Sequence, residues 1–137
     1  MTKKTIIAIK DVMTPSPVTI DGMASVHDAL DLMEKHNVNS LVIDRRYEGD
    51  EYSMITVLDI ATKIVGANKS IDRSNVYEIM TKPVLTVHSG MDIKYAIRLL
   101  TRFSLSRALV TEFGVMVGIV SLRDMTVRYV RADAAKS

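Results

Sequence analysis

The chain repeats itself, and a repeat limits the possible architectures more than any single residue does. Val12-Met13-Thr14 returns as Ile79-Met80-Thr81, and Val18-Thr19-Ile20 as Leu85-Thr86-Val87, both at a spacing of 67 (80 − 13, 86 − 19). In each copy a stretch follows with apolar positions at three- and four-residue steps. These are Val26, Ala29, Leu30, Met33 and His36 in the first, and Ile93, Ala96, Ile97, Leu100 and Phe103 in the second. Such spacing predicts an amphipathic helix, capped by Ser25 in one copy and Asp92 in the other. Leu41-Val42-Ile43 then matches Ala108-Leu109-Val110. Met54-Ile55-Thr56-Val57-Leu58-Asp59 matches Ile119-Val120-Ser121-Leu122-Arg123-Asp124, now at a spacing of 65 (124 − 59). The first copy therefore carries two extra residues between its last two strands, in the charged loop around Gly49.

Each copy reads β-α-β-β-α, with the hairpin turning through Asp44–Asp50 in the first and Glu112-Phe113-Gly114 in the second. A unit of about 60 residues buries only a modest core alone. Two units are expected to pack sheet to sheet in pseudo-twofold symmetry, an α+β class. The expected organisation is a first repeat at 10–67, a linker at 68–75 and a second repeat at 76–131. Asn75 to Met80 reads as a short helical turn before the second repeat's first strand.

Composition narrows the function. Of 137 residues, 47% are hydrophobic and 25% charged, which argues for a globular chain. Aromatics make up 5% with no Trp, so the core must come from Val, Ile, Leu, Met and Ala, with nine Met making it adaptable. The lack of Cys excludes disulfides, thiolate metal sites and a Cys nucleophile, and it fits a reducing cytosol. Eighteen basic residues against 16 acidic ones leave no basic stripe, so nucleic-acid binding is not expected. The arginines of the second half, Arg98, Arg102, Arg107, Arg123, Arg128 and Arg131, read either as a solvated face or as a group of which two or three serve one small anion. Met1–Lys10 opens with two lysines, Lys3 and Lys4, before the short run Ile6-Ile7-Ala8-Ile9, too short for a signal-peptide core. No run approaches the ~18 apolar residues of a membrane helix, so a cytoplasmic location without membrane insertion is expected. His27, His36 and His88 lack ligand spacing, so no metal is expected. No nucleophile has a His–Asp partner set and no glycine-rich phosphate loop occurs, so the chain is not read as an enzyme.

A tandem β-α-β-β-α repeat, opened by Val-Met-Thr and closed by apolar-apolar-Thr/Ser-x-x-Asp, resembles the CBS domain pair over roughly Lys10 to Tyr129. The resemblance implies a stand-alone regulatory homodimer that binds an adenine nucleotide in the cleft between its repeats and signals to an effector protein. AMP, ADP and ATP are the first candidates, with S-adenosylmethionine or NAD as relatives. A ligand-free dimeric assembly module is the alternative. Carried over by position, one site would use Thr56 and Asp59 with backbone around Thr19, Asn39 and Ser40. The other would use Ser121 and Asp124 with Thr86, Arg107 and Arg123. A carboxylate accepts two hydrogen bonds at once and so suits a ribose diol. A hydroxyl between strand end and helix N-terminus suits an anion. The second site is expected to be the better one, because Arg123 stands where the first copy has Leu58, and Gly118 where it has Ser53. Against both stands the reading that Asp59 and Asp124 are helix N-caps.

Overall fold

The computed structural model describes residues 5–135, so Lys3 and Lys4 of the basic N-terminal stretch lie outside the described residues. After a 3-10 turn at Ile9–Asp11 come β1 (Thr14–Pro15), β2 (Thr19–Ile20), α1 (Val26–His36), β3 (Ser40–Ile43), β4 (Ser53–Thr56) and α2 (Val57–Ile60). A π-helical turn at Ala61–Val65 extends α2 and is followed by α3 (Val76–Ile79), β5 (Thr86–His88), α4 (Ile93–Arg102), β6 (Arg107–Glu112), β7 (Val115–Ser121) and α5 (Leu122–Ala134). None of these helices is long and apolar enough to cross a membrane.

Two compact units result, one of residues 18–84 and one of 1–17 with 85–137. In the 18–84 unit, β2 runs parallel to β3 and β3 antiparallel to β4, in the order β2-β3-β4. Ser25 caps α1 by accepting the Asp28 N–H at 3.0 Å, and Asn37 ends it at a left-handed φ of 53°. Val26, Ala29 and Met33 turn inward from α1 and meet Leu41, Ile43 and Ile55 of the sheet. Ile60, Ile64, Val76 and Ile79 complete this core. The α3 turn is tied back by Val76 N–H donating to the Ala24 carbonyl at 2.9 Å. Thr81 and Met54 exchange backbone bonds of 2.8 and 3.1 Å. The segment that opens the second repeat is thus part of the first repeat's body.

The other unit holds the four-stranded sheet β1-β7-β6-β5, in which β5 and β6 are parallel and the other pairs antiparallel. Asp92 caps α4 through the Lys94 N–H at 3.1 Å. Ile93, Ala96 and Leu100 then pack with Val87, Ala108, Val110, Val120 and Met125. Ile9 is fully buried in this core, fixed by its N–H to the Met91 carbonyl at 2.9 Å. The opening segment of the first repeat is built into the second repeat's body in the same way. Met13 and Met80 serve as packing residues, each on the margin of the core it borders.

Two of the predicted apolar stripe positions fail. His36 is exposed because α1 ends there, before a left-handed residue turns the chain away. Phe103 is 58% exposed because it lies one residue beyond α4.

Gly118 lies inside β7, opposite Pro15 of β1. A Cβ there would stand 2.6 Å from the Met13 sulfur and 2.9 Å from the Thr14 carbonyl oxygen. The Met side chain can swing aside, but the backbone of β1 cannot without losing its pairing. Gly118→Ala is therefore expected to destabilise the fold by about 1–3 kcal/mol, read as a lower urea midpoint at unchanged slope.

Candidate functional site

Both copies end their last strand on a hydroxyl residue that begins the next helix. Thr56 and Ser121 have extended backbones (φ −121°, ψ 163° and φ −108°, ψ 150°), and each hydroxyl accepts the N–H of the Asp three residues on, at 3.1 and 3.0 Å. The N-cap role therefore belongs to Thr56 and Ser121, not to Asp59 and Asp124, which occupy the third helical position. This leaves each carboxylate available for other partners, and the two copies use it differently.

In the first copy the carboxylate is occupied. Asp59 Oδ2 accepts from the Thr56 N–H at 2.9 Å and the Thr56 hydroxyl at 3.0 Å, a reciprocal capping box. Asp59 Oδ1 faces Lys63 Nζ at 3.2 Å and the Thr81 hydroxyl at 3.5 Å. Its side chain is only 12% exposed. Asn39 and Ser40 stand at the same end of the sheet: Ser40 pairs with Thr56, and the Asn39 carbonyl accepts the Val57 N–H at 3.0 Å. Thr19 is set apart, on β2 in register with Val42.

In the second copy the carboxylate is open. Asp124 is 52% exposed at its side chain, and Arg123, itself 85% exposed, approaches it only loosely at 3.8 Å. Arg107 pairs with Ser121 across the β6–β7 ladder, and the Ser106 carbonyl accepts the Leu122 N–H at 2.8 Å, repeating the first copy's geometry. Thr86 lies on β5 opposite Leu109. A cavity of about 250 Å³ adjoins Asp124, lined also by Asp11, Val12, Arg123, Arg128 and Arg131. Arg128 and Arg131 were not assigned to this site from the sequence, although 124, 128 and 131 follow the four- and three-residue steps of one helix face. Lys63 was missed too, on the same i,i+4 signal from Asp59. At the equivalent spacing Arg128 turns elsewhere, donating to the Asp11 carbonyl at 3.3 Å.

The described residues hold no group of three or more His, Asp or Glu placed to bind a metal ion. His27 Nδ1–H donates to Asp72 at 2.7 Å, and that hydrogen bond raises its pKa above the usual imidazole value, with Asp31 adding to it. His88 accepts the Gly90 N–H at 2.9 Å in a turn.

Comparison with known proteins agrees with this architecture. The CBS-CP12 protein of bloom-forming cyanobacteria, solved as a hexamer, superposes with a TM-score of 0.85 at 31% identity, over 90% of this chain and 72% of that one. The CBS domain pair of protein MJ0100, solved with 5′-methylthioadenosine and S-adenosyl-L-methionine, superposes at 0.79 with 28% identity, over 93% of this chain and 98% of that one. The CBS domain-containing protein YhcV of Bacillus subtilis is 25% identical over 95% of this chain and 91% of its own length. An L-aspartate semialdehyde sulfurtransferase of Methanocaldococcus jannaschii is 29% identical over 90% of this chain, which spans only 23% of that enzyme. An uncharacterised Methanopyrus kandleri protein, 32% identical over 87% of this chain, is spanned over 58% of its length. The family model for the CBS domain matches twice, at residues 9–66 and 76–130. The chain belongs to the CBS domain family and carries two copies of the domain.

Proposed function

We propose that this CBS pair is a regulatory module that binds an adenine nucleotide through its second copy and passes that occupancy to an effector protein. The observation that carries the reading is the different state of two equivalent carboxylates. Asp59 has its lone pairs filled by Thr56, Lys63 and Thr81, whereas Asp124 stands half-exposed beside a cavity with three arginines. The Asp124 carboxylate would take the ribose diol and the Ser121 hydroxyl a phosphate or ribose oxygen. Arg107, Arg123, Arg128 and Arg131 would balance the phosphate charge. Thr86 would contribute backbone from β5. The similar pair solved with two adenosyl compounds supports an adenosyl ligand.

The test is a thermal-shift panel of AMP, ADP, ATP, S-adenosylmethionine and NAD on the wild type and on Asp124→Ala. A ligand at about 100 times its dissociation constant stabilises the native state by about 2.7 kcal/mol, enough to move the midpoint by several degrees. Asp124→Ala is expected to lose that shift while keeping the unliganded midpoint. A shift that survives the substitution would remove Asp124 from the site.

A second reading, an assembly module without a ligand, draws on the exposure of Val57 (42%), Leu58 (70%) and Val65 (67%) around α2. A flat nucleotide panel on a tightly dimeric chain would favour it.

A further inference from the structure

The first copy's two extra residues build a feature that the second copy lacks. Phe113 and Gly114 turn β6 into β7 with two positive φ values, 51° and 77°, whereas the first copy loops through 44–52. This loop turns at Gly49 (φ +89°) and buries the Asp50 carboxylate, whose side chain is 5% exposed. Asp50 accepts from Lys82 Nζ at 2.9 Å, from the Arg46 backbone N–H at 3.2 Å and from Arg46 Nε at 3.3 Å. The Lys82 and Arg46 hydrogen bonds hold its pKa well below the usual carboxylate range. Arg45 lies over the Tyr52 ring at 4.4 Å.

Beside this loop lies a cavity of about 650 Å³ with an apolar wall of Met23, Ile43, Tyr77 and Met80. It sits at the Ile43–Ser53 end of the β3–β4 ladder, whereas Thr56 is at the Ser40 end and Asp59 follows it in α2. Three residues of strand, about 10 Å, separate the two ends. A cavity of this size, largely apolar with a few converging charges, has the character of a small-molecule site.

The charges specify what would fit. Three cations, Arg45, Arg46 and Lys82, line the cavity around one buried carboxylate. Lys82 has three N–H donors and gives one to Asp50, while Arg45, stacked over Tyr52, gives one N–H to the Asp50 carbonyl at a long 3.5 Å. Both retain donors for an anion. Asp21 and Asp44 line the same cavity and are exposed, and Asp21 Oδ1 accepts the Met23 N–H at 2.8 Å, leaving its second oxygen unused by that bond. A simple anion would meet these two carboxylates, and a simple cation would meet Lys82 and Arg45. A zwitterion with an apolar body is matched at both ends.

We propose that the cavity binds a free amino acid with an apolar side chain. Its carboxylate is received by Lys82 and Arg45, its ammonium by Asp21 and Asp44, and its side chain by the apolar wall. The site is independent of the Asp124 reading and stands or falls without it.

Calorimetric titration of the full chain with L-leucine, L-methionine and L-phenylalanine is the test, with isocaproate and isoamylamine as single-charge analogues of leucine. At least one amino acid is expected to bind, with the analogues about tenfold weaker or worse. Lys82→Met and Asp44→Asn are each expected to weaken binding about tenfold, and Asp124→Ala to leave it unchanged. Asp44→Asn is the cleaner variant, because Asp44 is exposed whereas Lys82 also ties down the loop. The proposal is overturned by absence of binding at about 10 mM, by an analogue that binds as well as its amino acid, or by unchanged affinity in Asp44→Asn.

Discussion

Asp59→Ala is expected to destabilise the native chain by about 1.5–3 kcal/mol, although the equivalent Asp124→Ala leaves stability nearly untouched. The substitution removes the acceptor for the Thr56 N–H at 2.9 Å and the Thr56 hydroxyl at 3.0 Å, and the Lys63 ion pair at 3.2 Å. Thr56 keeps the residue-59 N–H at 3.1 Å and still caps α2 in the variant, so the loss comes from the hydrogen bonds to the carboxylate, at about 1.5–3 kcal/mol for bonds to a charged group. The Lys63 term is small, since that ammonium is 45% exposed and keeps the Ile79 carbonyl at 2.9 Å. Asp124→Ala gives up only a 3.8 Å approach to an exposed Arg123, while Ser121 still caps α5. Urea unfolding of the two variants side by side makes the comparison. Equal losses would mean that the two carboxylates are equivalent, and the assignment of the second copy as the ligand site would lose its basis.

Leu100→Ala should cost more, about 2–5 kcal/mol. Leu100 is fully buried on the inner face of α4, in the core shared by Ile9, Val87, Ala108 and Met125. Removing three carbons there forfeits the transfer term and leaves a void whose walls come from two helices and a sheet, which collapse poorly around it. Hydrogen exchange should show the β5–β7 amides losing protection first, with those of β3 and β4 less affected. A loss under about 1 kcal/mol would mean that the site refills.

The repeat made most of the fold readable. Both helices of each copy, their caps Ser25 and Asp92, and the strand-to-helix passage at Thr56 and Ser121 follow from local chemistry that acts within three or four residues. The contrast between Asp59 and Asp124 was not readable, because Asp59 is closed in by Thr81, 22 residues away, as well as by its own helix. Nor was the end of the apolar stripe at His36 and Phe103, because it depends on where each helix stops. The extra residues of the first hairpin were visible as a count. That they bury Asp50 depends on Lys82, 32 positions further on, which no local pattern discloses.

The way each opening segment joins the other repeat's body also sets an order of events. Residues 18–84 form a contiguous unit, whose contacts can all close once that stretch has left the ribosome. The stretch from Thr5 to Pro15 has no such neighbour in sequence. Ile7 and Ile9 bond Ile93 and Met91, Thr14 pairs with Ile119, and Thr5 donates to Asp133. These loops exceed 80 residues, and closing them is the slow, entropically costly part of folding such a chain. Residues made early are therefore expected to dock late, and until they do the edge of β7 lacks its β1 partner and the Ile9 site is unfilled.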